Sequence, residues 1–260
     1  MNAIEFSELP SRSALMKRFD RKFLCSDDQM DALLQALDAT HCYVNVQGLS
    51  HQVYQNEYWD KPNKDFYNDH RRGIPRRLKF RRRTYQGNGL SFWELKVKHP
   101  RGYQDKRRMT VDQATTSDGE LAGLANRAFG LLLGDGRQKP GAPEPLEPSM
   151  HITYQRMTLW DPAAGSRLTV DSQLQASLGG VRLEFPKWTL VELKQARRAR
   201  HAVDALVTQG LLKACAFSKY HRTMQIWSGM VQGHGGLCSE MKRYEEWVGQ
   251  ACLIHRSEIL

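Results

Sequence analysis

Arg76-Arg-Leu-Lys-Phe-Arg-Arg-Arg-Thr-Tyr85 places six cations in ten residues. In an extended chain residues i, i+2 and i+4 share a face. Arg77, Lys79, Arg81 and Arg83 then fall on one face, and Leu78 and Phe80 on the other with Arg76 and Arg82. Pro75 lies before the segment and Gly87 and Gly89 lie after it, which predicts a strand over 76–85 that ends in a turn. Ser91-Phe-Trp-Glu-Leu-Lys-Val-Lys98 divides in the same way, with Glu94, Lys96 and Lys98 opposite Trp93, Leu95 and Val97. After Pro100 and Gly102 a third strand is expected over 103–111, giving an antiparallel meander.

The division recurs along the chain. In 16–24, Arg18, Asp20 and Lys22 oppose Phe19 and Phe23. Tyr154 and Arg156 share a face, as do Arg167, Thr169 and Asp171, and Glu192 and Lys194 oppose Val191 and Leu193. A sheet with one solvated face explains any single strand of this kind. It explains the set less well, because the charged faces are dominated by Arg and Lys with only isolated carboxylates. A closed antiparallel β-barrel of about eight strands, flanked by helices, is the alternative: apolar faces pack outward and charged faces line a tunnel. Two like charges 4 Å apart at an effective dielectric of about 20 repel by about 4 kcal/mol. Such a lumen has to hold water, counter-ions or a polyanion, and Arg forks and Lys ammoniums suit phosphate oxygens. The scattered carboxylates would then be ligands for a hard divalent ion.

Between the strands, helices are expected over 27–37, 121–133, 203–212 and 220–230, with Ser26 or Asp27 capping the first. Further strands are expected over 52–60, 151–160, 167–174, 181–185 and 188–195, with Gly179 and Gly180 turning a hairpin. Residues 61–75 and 134–149 read as polar or Gly/Pro-rich loops. The α+β fold is read as one tunnel domain over 1–260 with its core at about 16–230; 231–260 is not assigned.

The net charge of +10 favours anionic partners without choosing among them. Five cysteines with no C-x-x-C pair suggest reduced thiols in a cytoplasmic setting. No signal peptide is expected at the N-terminus, and no stretch approaches the roughly 20 apolar residues of a membrane helix. His41, His51, His70 and the other histidines show no metal-ligand spacing, and Ser218 has no evident His partner.

The strands carry a resemblance. Arg18-Phe-Asp-Arg-Lys-Phe23, Tyr58-Trp-Asp60 with Phe66 and Tyr67, Lys79-Phe-Arg-Arg-Arg-Thr-Tyr85, Phe92-Trp-Glu-Leu-Lys-Val-Lys98, Lys106-Arg-Arg108, Tyr154-Gln-Arg156, Val191-Glu-Leu-Lys194 and Phe217-Ser-Lys-Tyr220 follow in the order and spacing of one family. Over about 17–220 the chain resembles the VTC (polyphosphate polymerase type) domain of the triphosphate tunnel metalloenzymes. That resemblance implies that Lys22, Arg81, Arg83, Arg156 and Lys219 act on the reacting phosphates, and that Arg18, Lys79, Lys96, Lys98 and Lys194 bind along the chain. It implies Mn²⁺ or Mg²⁺ on Glu192, with Glu94 and Asp171 as further metal candidates. Asp20 stands where relatives often carry Glu, and Tyr58-Trp-Asp60 departs from the commoner Tyr-Phe-Asp, so that stretch is read as structural with Trp59 in the core.

The implied ligands are ATP or another nucleoside triphosphate and inorganic polyphosphate, with a separate membrane protein as a possible partner. The implied activity is polyphosphate synthesis from ATP. Triphosphate hydrolysis on the same fold is the nearest alternative, and a non-catalytic polyphosphate sensor or a nucleic-acid-binding module are alternatives of another class. Nucleic acid is disfavoured because Trp93 falls opposite Glu94 and Lys96 rather than beside them.

Overall fold

The alternation of charged and apolar side chains produces long antiparallel strands, as expected. The computed structural model describes residues 1–9, 19–100, 104–111, 118–134, 145–231 and 253–256. Its strands are β1 (Ala3–Glu5), β2 (Phe19–Cys25), β3 (Cys42–Asn45), β4 (His51–Asp60), β5 (Arg77–Tyr85), β6 (Ser91–Lys98), β7 (Gln104–Thr110), β8 (Glu147–Asp161), β9 (Ser166–Leu178), β10 (Val181–Phe185), β11 (Thr189–Gln195), β12 (Lys213–Ala214) and β13 (Leu253–Arg256). Its helices are α1 (Met30–Leu37), α2 (Asp65–Arg71), α3 (Asp118–Leu133), α4 (Ala202–Thr208) and α5 (Lys219–Val231).

The main sheet runs β12-β2-β11-β9-β8-β4-β5-β6-β7, antiparallel at every step. Off this path, β1 pairs parallel with β3, β3 pairs with β8, and β10 pairs with both β9 and β13. The sheet therefore has more strands than the expected eight. Among the described residues no ladder joins β7 to β12 or β2, so the tunnel is a curled sheet whose hydrogen-bonded circuit stays open.

Three apolar clusters surround the charged interior. Phe23, Leu168, Val170, Val191 and Leu193 face outward under α1 and α4, which contribute Leu33, Leu37, Val203 and Leu206. Trp59, Phe80, Trp93 and Leu95 face outward under α3. Each of these large side chains contributes about 1.5–3 kcal/mol by leaving water. Phe80 and Trp93 stack with ring centroids 5.1 Å apart, and Trp59 meets Trp93 edge-on. This fixes both tryptophans in the core, where the alternation put Trp93 and the structural reading of Tyr58-Trp-Asp60 put Trp59. The third cluster is different. Leu24, Met150, Ile152, Leu174 and Leu190 are packed by Phe217, Tyr220 and Met224 of the α5 region. Leu24, Ile152 and Leu190 share strand faces with Lys22, Arg156 and Glu192, so the charged face turns apolar towards one end and α5 covers it there.

The loop expected over 61–75 contains α2. Its cause lies upstream: the Asp60 carboxylate accepts the backbone N–H groups of Lys61, Phe66 and Tyr67, at 2.8, 2.9 and 3.0 Å. A buried carboxylate at the first turn satisfies orphan donors and favours the positive end of the helix dipole. Phe66 and Tyr67 then bury their rings. The helix expected over 203–212 stops at Thr208, and Gly210 follows at φ +77, where a side chain would be strained. The expected strand 16–24 begins, in the described part, at Phe19 and extends to Cys25. Most of the Gly/Pro-rich stretch 134–149 lies outside the described residues, and β8 begins within its end at Glu147.

Candidate functional site

Strand register decides which charges meet. Across β2 and β11, Glu192 stands opposite Lys22 and Lys194 opposite Asp20. Arg156 on β8 stands opposite Asp171 on β9. On β5 and β6, Arg81 pairs with Glu94 and Lys79 with Lys96, and Lys96 in turn pairs with Lys106 on β7. The curl of the sheet is visible in two hydrogen bonds. Lys22 Nζ donates to the Phe217 carbonyl at 2.7 Å, and Lys79 Nζ donates to Ser218 Oγ at 2.7 Å. β2 and β5 are separated by four strands along the sheet, yet their lysines reach adjacent residues of one segment. The Lys96 ammonium is also influenced by Glu192, Lys22 and Asp20, from strands at the far end of the path.

Carboxylates act as internal counter-ions. Arg156 forks onto Asp171, Nε to Oδ1 at 2.5 Å and Nη2 to Oδ2 at 2.7 Å, and Lys219 Nζ joins the same carboxylate. Arg81 donates to Glu94 Oε2 from Nε at 2.9 Å and Nη2 at 2.7 Å, and its Nη1 reaches the Tyr58 hydroxyl at 2.8 Å. Lys106 lies 2.5 Å from Glu94 Oε1. Arg83 donates to Asn56 Oδ1 at 2.9 Å and to the Tyr154 hydroxyl at 3.1 Å. Lys194 Nζ pairs with Glu192 Oε2 at 2.8 Å. Aromatic faces add to the lining: the Arg156 guanidinium lies 4.9 Å from the Tyr54 ring centre and Lys219 Nζ lies 4.3 Å from that of Tyr154.

The electrostatics follow from this crowding. Burial opposes ionisation of Asp171, but Arg156 and Lys219 outweigh it and hold the carboxyl far below its usual range. Burial likewise opposes ionisation of Glu94, which Arg81, Arg83 and Lys106 reverse, and of Glu192, which Lys194 and Lys22 reverse. The lysines move the other way. Burial and the neighbouring Lys22, Lys96 and Arg81 push Lys79 well below an ordinary ammonium. Burial brings Lys194 down to about 7 and Lys96 and Lys106 to about 8, against the partial support of Glu192 for the first two and of Glu94 for Lys106.

The structure thus gathers Lys22, Lys79, Arg81, Arg83, Lys96, Arg156, Lys194 and Lys219 around one interior, together with Glu94, Asp171 and Glu192. Lys98 stands opposite Arg77 and is much less enclosed than Lys96. Arg18 lies outside the described residues. Lys106 was quoted in the family motif but not singled out as a site residue. The signal was the same alternation, since Lys106 and Arg108 share a face of β7. Arg107, on the other face, instead caps α3 by donating to the Leu132 and Leu133 carbonyls at 3.0 and 2.9 Å. Ser218 is engaged by Lys79 and by the His221 N–H rather than by an imidazole.

The carboxylates differ as metal candidates. Glu94 and Asp171 are each held directly by at least two cations, and among the described residues Glu192 is held directly by Lys194 alone. They do not form a three-carboxylate cage. Among the described residues, the one group of three His, Cys, Asp or Glu donors close enough for a single ion is His41, Asp161 and His201. That group is absent from the sequence reading because the three residues lie far apart in the chain. Among the described residues, no helix is long and apolar enough to cross a membrane.

Several solved structures align with most of the chain at low identity. The PH1819 protein from Pyrococcus horikoshii OT3 is 13% identical, over 82% of this chain and 99% of that one, at a TM-score of 0.47. A putative adenylyl cyclase from Hippeastrum, described as having a dominant triphosphatase activity, is 16% identical over 84% and 96%, at 0.45. A putative adenylate cyclase from Vibrio parahaemolyticus is 14% identical over 78% and 95%, at 0.46. No protein of curated function matches the chain in sequence. The family model of the VTC domain matches residues 17–228, a span that contains every strand of the tunnel from β2 to β12, and the chain belongs to that family.

Proposed function

We propose that the tunnel binds a linear phosphoanhydride, inorganic polyphosphate or a nucleoside triphosphate, and that it transfers the γ-phosphate of ATP to the end of a polyphosphate chain. The observation that carries this reading is the convergence of Lys22 and Lys79 on Phe217 and Ser218, which wraps cations from both halves of the sheet around one interior. A string of phosphates is the ligand class that neutralises such a lining along its length.

Phosphoryl transfer depends mainly on positioning and on charge stabilisation. In this reading Arg81, Arg83 and Arg156 hold the donor phosphates, and Lys22, Lys79, Lys96 and Lys219 hold the acceptor chain and the transferring group. A terminal oxygen of the acceptor attacks the γ-phosphorus, and the bond from that phosphorus to the β-bridging oxygen breaks. ADP leaves with the electron pair, and the polymer is one unit longer. Glu192 fits a Mg²⁺ or Mn²⁺ ion: burial opposes its ionisation but Lys194 and Lys22 hold it well below the usual carboxylate range, it has one direct cation neighbour among the described residues, and such ions commonly use one or two carboxylates plus phosphate oxygens. Bound there, the ion would draw charge from the oxygens of the reacting group. The positions of Glu94 and Asp171 suit counter-ions that orient arginines better than metal ligands. ATP as donor implies a cytoplasmic setting.

The test is incubation with ATP and Mn²⁺ or Mg²⁺, followed by sizing of any phosphate polymer. Polymer growth with matching ADP release supports the proposal. Orthophosphate without polymer makes the protein a triphosphatase. Tripolyphosphate at about 100 times its dissociation constant should stabilise the fold by about 2.7 kcal/mol. Stabilisation without turnover would indicate a sensor. No stabilisation, with tighter binding of single-stranded nucleic acid, would sink the tunnel reading.

A further inference from the structure

We propose that His41, Asp161 and His201 form a second site, on the outer side of the sheet, for a divalent transition-metal ion of the zinc class. His41 follows α1, Asp161 ends β8, and His201 is the residue before α4. Asp161 alternates in phase with Met157 and Leu159, which belong to the cluster under α1 and α4, so it faces away from the phosphate-binding interior. The three donor atoms lie within 4.8 Å of one another, and all three residues are buried.

His41 points most directly to a ligand. It is 3% exposed, and its Nε2 is buried with no hydrogen-bond partner. Its Nδ1 is engaged by Thr40 Oγ1 at 2.8 Å, and that hydroxyl in turn donates to the Leu37 carbonyl at 3.4 Å. With the Thr40 hydroxyl turned to the Leu37 carbonyl, Nδ1 carries the proton and Nε2 is left as a bare lone pair, the arrangement by which outer partners orient a metal-binding imidazole. Asp161 accepts the Ala163 and Ala164 N–H groups with Oδ1, both at 3.0 Å, which orients the carboxylate. Among the described residues no lysine or arginine forms an ion pair with Asp161; the nearby Arg21 is held by Asp204 and Gln195. His201 has to give up a contact to bind. Its Nε2 lies 3.1 Å from Ser166 Oγ and its Nδ1 accepts the Val203 N–H at 3.3 Å.

Two imidazoles and one carboxylate suit Zn²⁺, with a fourth position left for water. Ligand atoms on a tetrahedral ion with bonds of about 2.0–2.1 Å stand about 3.3 Å apart, so the group has to draw in by at most about 1.5 Å. The ion would join α1, the β8–β9 turn and α4 from outside the tunnel, as a structural clamp.

The test uses the full chain stripped with a chelator, in phosphate-free buffer, titrated with Zn²⁺ or Co²⁺ alone. One equivalent of Zn²⁺ should raise the thermal midpoint, and one equivalent of Co²⁺ should give a visible ligand-field band that Zn²⁺ displaces. Asp161→Asn and His41→Gln should weaken binding by more than the 10–100-fold typical of losing an outer partner. Glu192→Gln, in the tunnel, should leave the Co²⁺ band intact, which separates this site from the tunnel ion. If the variants fail to fold, X-ray absorption of the Zn²⁺-loaded wild type decides, and two imidazole nitrogens in the shell support the site. No midpoint shift and no band, a band that survives in Asp161→Asn, or a shell without imidazole overturns it.

Discussion

Raising the pH should loosen the tunnel's hold on tripolyphosphate, although the ligand itself becomes more anionic. Burial brings Lys194 down to about 7 and Lys96 to about 8 in the ligand-free protein. A polyanion favours their charged forms, so binding raises these values and takes up protons. The stabilisation from these two ammoniums is therefore full below about pH 6 and falls as the pH rises through 7 and 8. At pH 8 recharging costs a factor of about 11 for Lys194 and about 2 for Lys96, together about 20-fold in affinity relative to pH 6, and the half-exposed Lys106 adds little. Phosphate groups lose their last proton near pH 6, so over this range the ligand's own titration works in the opposite direction. Lys194→Arg keeps its charge at every relevant pH and should remove about tenfold of the fall. The assay is isothermal calorimetry from pH 6 to 8.5 in buffers of different ionisation enthalpy. Affinity that stays flat or rises with pH, or binding at pH 8 without proton uptake, refutes the reasoning.

Three further outcomes follow from individual contacts. Arg81→Met removes the fork on Glu94, which is 2% exposed but keeps Lys106 and Arg83 beside it, and should cost about 1–3 kcal/mol in urea melts as well as the thermal shift with tripolyphosphate. Lys79→Met removes an amine whose charge burial and its cationic neighbours already suppress, together with one hydrogen bond to Ser218; it should change the stability of the ligand-free protein by no more than about 1 kcal/mol while weakening tripolyphosphate binding, which favours the charged form, at least about tenfold. Asp60→Asn replaces an oxygen that accepts from Tyr67 N–H and the Tyr220 hydroxyl with a donor, and should destabilise the fold by about 3 kcal/mol in the same melts.

The strands were legible where burial on one face imposes a period of two, as in β2, β5, β6 and β11; the short β3 was not expected, and register shifts at Tyr58/Trp59 and Thr153/Gln155 interrupt the period around β8. Lys79, Arg81, Glu94 and Lys96 could be placed together from the alternation alone. Curvature could not. It is set by where Phe217 and Ser218 meet Lys22 and Lys79, residues far apart in the chain. The apolar end of the tunnel was hidden for a related reason: Leu24, Ile152 and Leu190 alternate in phase with the charged residues, and only the packing of α5 shows that the face changes character along its length. α2 was missed because seven residues carry little helical period, and its anchor is a carboxylate outside it, Asp60. The His41, Asp161 and His201 group has no local spacing at all, and only the fold brings it together.

The choice of arginine or lysine at each interior position has a physical meaning. Arginine cannot shed its charge, so a buried arginine needs a fixed partner. Arg81 has Glu94, Arg156 has Asp171, and Arg83 has Asn56, Tyr154 and the field of Glu94. Lysine can shed its charge, and the cations with depressed ionisation are Lys79, Lys96, Lys106 and Lys194. Self-repulsion in the tunnel is therefore lowered in two ways, by pairing the permanent charges and by shifting Lys79 and part of Lys194 to the neutral form. A polyanion adds counter-charge, recharges the lysines and leaves the arginine pairs in place. The arginine–carboxylate pairs thus set the shape of the site before ligand arrives, and the lysines supply attraction that grows as it enters.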